Sequence, residues 1–198
     1  MIGDNLEGTW RSFIVPKAVI CGQSDLFKAA FGGSSKEATN PASYKLVADA
    51  KVFDKFLEWL YLKKVEGLRL YYDQEFKFWD LCVSLHKLGD KIGVKALQDY
   101  IMRNLISAVI HNVAQQGRGF LPTCELAMEL YASTPASSKL KVFLVGVYAF
   151  HPNVKLDRDL PMELVAEVGL ILKTKEYQAN KQSTTSRMNN WFERNCYH

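Results

Sequence analysis

Cysteine and histidine have the widest chemical range of any side chains in this sequence, and there are four of each. Cys21, Cys82, Cys124 and Cys196 lie far apart, with no C-x-x-C pair and no short Cys/His spacing of the kind that closes a zinc site. A thiolate nucleophile needs a neighbouring base, and Cys21 with His86 or His111 is the pairing that packed helices could supply. Three of the cysteines fall inside apolar periodic segments, where a thiol is ordinarily a small packed hydrophobe. Gly89-Asp90-Lys91-Ile92-Gly93-Val94-Lys95 is too short for a phosphate loop, and Gly117-Arg118-Gly119 lacks the third glycine and preceding strand of a dinucleotide site. Both read as turns. No residue earns a catalytic, cofactor-binding or metal-ligating role, so the chain is expected to be no enzyme, to carry no cofactor and to take no small-molecule substrate.

What remains is the chemistry of contact. Lys17, Lys36 and Glu37 are charges at or near predicted loops, where solvation is their ordinary fate and a partner contact the sharper one. Phe76 and Trp79 lie off the apolar stripe that Phe78 begins, which makes them candidates for an exposed aromatic contact. His86, next to Lys87, reads as a solvated helix edge, and His151 before Pro152 as a cation at a helix end, where it suits the dipole.

These residues need elements to hold them. Phe13 and Val15 alternate as in a short strand that Pro16 ends, having no amide hydrogen to donate. Ser24 or Asp25 can cap a helix whose Phe27, Ala30 and Phe31 share one face. A breaker-rich loop runs from Gly32 to Ser43, and Tyr44-Lys45-Leu46-Val47 reads as a brief strand. Asp49 can cap the next helix, with Phe53, Phe56, Leu57, Leu60 and Tyr61 in one stripe. Two further helices, one marked by Phe78, Leu81, Cys82, Leu85 and Leu88 and the other by Val94, Leu97, Ile101, Leu105 and Val109, are separated only by the break at Gly89 to Gly93. So short a link predicts a hairpin. Gln115 to Pro122 is the clearest internal boundary. Beyond it Thr123, Thr134-Pro135 and Pro161 open three more helices, and the polar, basic stretch from Lys173 on reads as a frayed helix or a disordered end.

Strands confined to the first quarter and helices thereafter make an α+β chain, mostly helical. With 198 residues, 48% of them hydrophobic, a folded core is expected. The net charge of +4 comes from 25 basic against 21 acidic residues and does not call for nucleic acid. No apolar run approaches the roughly 18 residues that span a bilayer, and Met1 to Glu7 lacks the basic and apolar parts of a secretory leader. Cytoplasm or nucleus is the expected location.

The run Phe13-Ile14-Val15-Pro16-Lys17-Ala18-Val19-Ile20-Cys21-Gly22-Gln23-Ser24-Asp25-Leu26-Phe27 resembles the BTB/POZ signature, in which a strand ending Val-His-Lys precedes a Leu-Cys-x-x-Ser-x-x-Phe helix. Lys36-Glu37 before Tyr44-Lys45-Leu46, then Phe53 to Tyr61, then Leu81 to Leu97 resemble that family's later parts in the same order. The similarity covers about residues 12 to 110, and the helical continuation to about 175 is most like the fungal members. It implies a BTB/POZ-like fold, short strands capped by helices, at 12–112, with a helical extension at 122–175 and flexible ends at 1–11 and 176–198. It also implies a protein-interaction module that assembles with itself or another BTB protein, or serves as a substrate adaptor for a cullin-type ubiquitin ligase. On the matched motifs the partner-binding residues are Lys17, Ser35, Lys36, Glu37 and Tyr61, joined by Phe76 and Trp79 from the aromatic reading above. Pro16 stands where the family usually has His, and Ser35 where cullin-binding members often place an apolar residue. The chain starts too close to Phe13 for the N-terminal helix and first strand that support the family's common homodimer. The alternative reading is a nuclear transcription or chromatin regulator that uses its basic C-terminal tail, with Trp191, on nucleic acid.

Overall fold

The computed structural model describes residues 2–3, 10–32, 44–68, 75–114, 121–151, 156, 159–174 and 183–196, with Ile2, Gly3, Glu75 and Phe76 described by their backbone. Among them are three two-residue strands and nine helices, so the chain is α+β and mostly helical, as its periodicity predicts. The chain divides into two compact units, Met1–Tyr71 with Leu81–Ile101 and Tyr72–Asp80 with Met102–His198.

In the first unit β1 (Ile2–Gly3) is the middle strand of a sheet ordered β2-β1-β3. It pairs antiparallel with β2 (Trp10–Arg11), Ile2 opposite Arg11, and parallel with β3 (Leu46–Val47), Ile2 opposite Leu46. The strand expected at Phe13 to Val15 therefore lies earlier. Phe13 instead reaches the core from an irregular segment, its ring 5.1 Å from that of Phe53. The ends expected to be flexible, 1–11 and 176–198, contain β1, β2 and the last helix.

Pro16 begins a helix as well as barring a strand. Its φ of −57° suits a helix start, and its carbonyl accepts from Val19 and Ile20, opening α1 (Lys17–Cys21) seven residues before the predicted start at Ser24. Ser24 then caps α2 (Asp25–Gly32), its Oγ accepting from the Phe27 amide at 3.2 Å and donating to the Ile92 carbonyl. That second bond ties α2 to the turn of the helical hairpin. The hairpin consists of α4 (Glu75–Lys91) and α5 (Lys95–Ala114), joined by Ile92-Gly93-Val94. Gly93 has φ +66°, and a side-chain carbon there would sit 3.0 Å from Asp25 Cβ, so both the turn and the close approach call for glycine.

Between these elements runs α3 (Ala50–Leu62), capped by Asp49, whose carboxylate accepts from the amides of Lys51 and Val52. Phe53, Phe56, Trp59 and Leu60 are its buried face. Leu57, expected in that face, is half-buried, and Trp59 takes the place, 6.3 Å from Phe56 and 6.5 Å from Tyr100 between ring centres.

The second unit is helical: α6 (Cys124–Ser133), α7 (Lys139–Phe150), α8 (Met162–Lys173) and α9 (Thr184–Asn195), together with parts of α4 and α5. Thr123, Ser138 and Ser183 cap α6, α7 and α9 through their hydroxyl oxygens. Every residue of α7 from Phe143 to Phe150 is buried, and α6, α8 and α9 all pack on this helix. The Phe192 ring of α9 lies tilted 5.0 Å from that of Phe143, and Trp191 lies 5.7 Å from Phe150. Among the described residues no helix is long and apolar enough to cross a membrane.

Candidate protein-interaction surface

The residues expected to contact a partner fall in different settings. Ser35, Lys36 and Glu37 lie outside the described residues, as does the side chain of Phe76. Trp79 is a correction: it is only 1% exposed, with its ring 5.8 Å from Phe143. A single stripe underestimates α4, which buries Phe78 and Trp79 side by side and later Cys82, Val83, Leu85, His86 and Leu88. A helix covered over such a wide arc has no outer aromatic edge at that point.

Lys17 and Tyr61 remain at the surface. Lys17 is exposed as the first residue of α1, and Tyr61 is 52% exposed in the last turn of α3, beside Leu62. The reason is the end of that helix. Lys63 takes a left-handed conformation at φ 54°, donates its amide to the Trp59 carbonyl, and lays its ammonium 4.6 Å over the Trp59 ring. The same Nζ donates to Gln23 Oε1 at 3.2 Å, so the end of α3 and the turn between α1 and α2 are neighbours. Trp59 is held inward by this closure, and Tyr61 and Leu62 are left in water. Ile14, just before Pro16, is almost wholly exposed, a cost a soluble surface accepts singly. Sequence spacing placed Tyr61 on the buried stripe of α3. The charged run Lys63-Lys64 directly after it is the signal that the helix ends there in solvent.

The Cys21 thiol donates to the Phe27 carbonyl at 3.4 Å. Burial pushes Cys82 well above the usual thiol range, and pushes Cys196 up to about 12 although Lys139 pulls the other way. A protonated thiol is a poor nucleophile. His86 is buried and not at a solvated edge. His151 does end α7, but burial lowers its proton affinity, so it is a neutral cap there and not a cation on the dipole. Among the described residues no cluster of three or more His, Cys, Asp or Glu side chains is placed to hold a metal ion.

Comparison with protein-family models, with curated proteins and with solved structures finds no match to this chain.

Proposed function

We propose that the chain is a protein-interaction module of the BTB/POZ-like type, acting in cytoplasm or nucleus by assembling with itself or with another protein, and not by catalysis. One observation carries this reading: the order of elements around the sequence resemblance. A strand leads through Pro16-Lys17 into the short helices α1 and α2, with Cys21 and Ser24 at their junction and Phe27 buried. Then come β3 at Leu46, α3 closing on Tyr61, and the hairpin that turns at Gly93. That is the order in which the family's parts were matched. The exposed pair Tyr61 and Leu62 gives the module a contact surface, and Tyr61 is at a position that faces the cullin in adaptor members. A substrate adaptor for a cullin-type ligase is the specific form of the proposal. The alternative nucleic-acid tail is less favoured, because Trp191, its aromatic, packs against Phe150.

The test is the mass of the full chain in solution, alone and with a cullin N-terminal region, by light scattering on a sizing column. A mass above 22.5 kDa alone, or a complex with the cullin, is expected. Tyr61→Ala should weaken the cullin complex by roughly tenfold, the order for one aromatic contact. A strictly monomeric chain that captures no cullin at micromolar concentration would sink the adaptor and self-assembly forms together.

A further inference from the structure

Thr134-Pro135, between α6 and α7, is the one place in this chain where a hydroxyl residue precedes a proline. The other five of its six prolines follow Val15, Asn40, Leu121, His151 and Leu160. A Thr-Pro pair is what a proline-directed protein kinase recognises, and the fold displays it in a form such an enzyme can bind. Pro135 bars Thr134 from the helical region, and Thr134 is extended at φ −117° and ψ 146° as the C-cap of α6. Ala132, Ser133, Pro135, Ala136 and Ser137 are all exposed, so the chain is accessible on both sides of the hydroxyl. Thr134 is also a latch. Its hydroxyl and its amide both donate to the Leu130 carbonyl, the amide at 3.1 Å, and close the last turn of α6. At the same helix end the ammonium of Lys141, from the first turn of α7, donates to the Tyr131 carbonyl at 2.8 Å.

We propose that Thr134 is a phosphorylation site for a proline-directed kinase, and that its phosphate unlatches the end of α6. In the transfer, Thr134 Oγ1 bonds to the γ-phosphorus of ATP while the bond from that phosphorus to the β,γ-bridging oxygen breaks. ADP leaves, and the hydroxyl proton passes to the base of the kinase. The phosphoester oxygen keeps no hydrogen, so the side-chain bond to the Leu130 carbonyl is lost. The group also adds a charge of roughly −1.5 to −2 at a helix C-terminus, where the last carbonyls are already partially negative. α6 therefore repels it. The start of α7 is the opposite pole, with Lys139 and Lys141 in its first turn, and attracts it. The phosphate draws Thr134 from α6 towards α7 and competes with the Tyr131 carbonyl for Lys141. This site lies in the second unit and does not depend on the assembly reading of the first.

The experiment incubates the full chain with ATP and an active mitogen-activated protein kinase, and locates phosphate by fragmentation mass spectrometry. One phosphoryl group on Thr134 is expected. Thr134→Val should abolish it, and so should Pro135→Ala, which keeps the hydroxyl and removes only the residue the kinase recognises. Circular dichroism of both variants should match that of the parent chain, which separates loss of the site from loss of the fold. In the phosphorylated chain, hydrogen exchange should be roughly tenfold faster at the Thr134 amide, now released from the Leu130 carbonyl, and unchanged in the second half of α7. A full chain left unmodified while a control substrate is labelled would overturn the proposal. Phosphate confined to other hydroxyls, or equal labelling of Pro135→Ala, would overturn it too. Unchanged exchange at Thr134 in the phosphorylated chain would overturn the unlatching.

Discussion

His151 has to give up water to end α7, and that choice sets a pH dependence. Burial lowers its proton affinity in the native state, whereas in the unfolded chain it titrates near the ordinary 6.5. Above that value both states are neutral at this site and it contributes nothing to pH dependence. Below it the unfolded chain binds the proton more readily, so stability falls as the pH drops through the unfolded value. Urea midpoints measured between about pH 7.5 and 5.5 should decline, and His151→Gln should flatten that decline. An unchanged slope in the variant would mean that other groups cause it. The same desolvation that neutralises His151 keeps Cys82 and Cys196 as thiols, so the burial of this core fixes protonation states as well as packing.

Among the elements α9 is the most exacting. Gly146 of α7 leaves room for it: an added carbon would stand 2.5 Å from Trp191 Cδ1, press on the indole Nε1, and sit 3.0 Å from Phe192 Cε1. Gly146→Ala should therefore push α9 off α7 at a cost of about 1–3 kcal/mol, seen as earlier proteolytic cleavage within Thr184–Asn195 and a red-shifted tryptophan emission. Gly169→Ala in α8, where nothing lies within 4 Å, is the matched control and should be neutral or slightly stabilising. Equal protease resistance in the two variants would show that α9 does not depend on this contact. The helix is also where reading by composition left a frayed helix and a disordered end both open. Met188, Trp191, Phe192 and Cys196 fall at i, i+3, i+4 and i+8, a correct helical stripe, but the Ser and Thr before them and the Asn, Glu and Arg between them lower the mean hydropathy and hide it. Asp49, Thr123 and Pro161 were legible starts because a cap is a local interaction between neighbours in sequence. The strand at Trp10–Arg11 was not, because its place depends on pairing with β1, which alternation within one segment does not specify. At the candidate surface the exposure of Lys17 was legible, whereas that of Tyr61 was not, because spacing put it on the buried stripe of α3. Trp79 was misplaced because one stripe per helix is the wrong prior for a helix buried over a wide arc.

At the scale of the whole molecule, α4 and α5 belong to both compact units, α4 passing from one to the other at Asp80 and Leu81, and α5 at Ile101 and Met102. Helix formation is cooperative along a continuous run, so neither unit can lose its share of these helices without fraying the other's. Heat or urea should therefore unfold the chain in one transition, with tryptophan emission and far-ultraviolet dichroism giving the same midpoint. Two resolved midpoints would show that the units melt separately. The sheet has a consequence of a different kind. β3 is an edge strand only two residues long, and the ammonium of Lys91, at the end of α4, donates to the Val47 carbonyl at 2.5 Å. An incoming strand would find a short template with one acceptor already taken by a cation, the arrangement that discourages edge-to-edge growth and amyloid-like stacking. Strand addition at this edge of the sheet is thus blunted from the start.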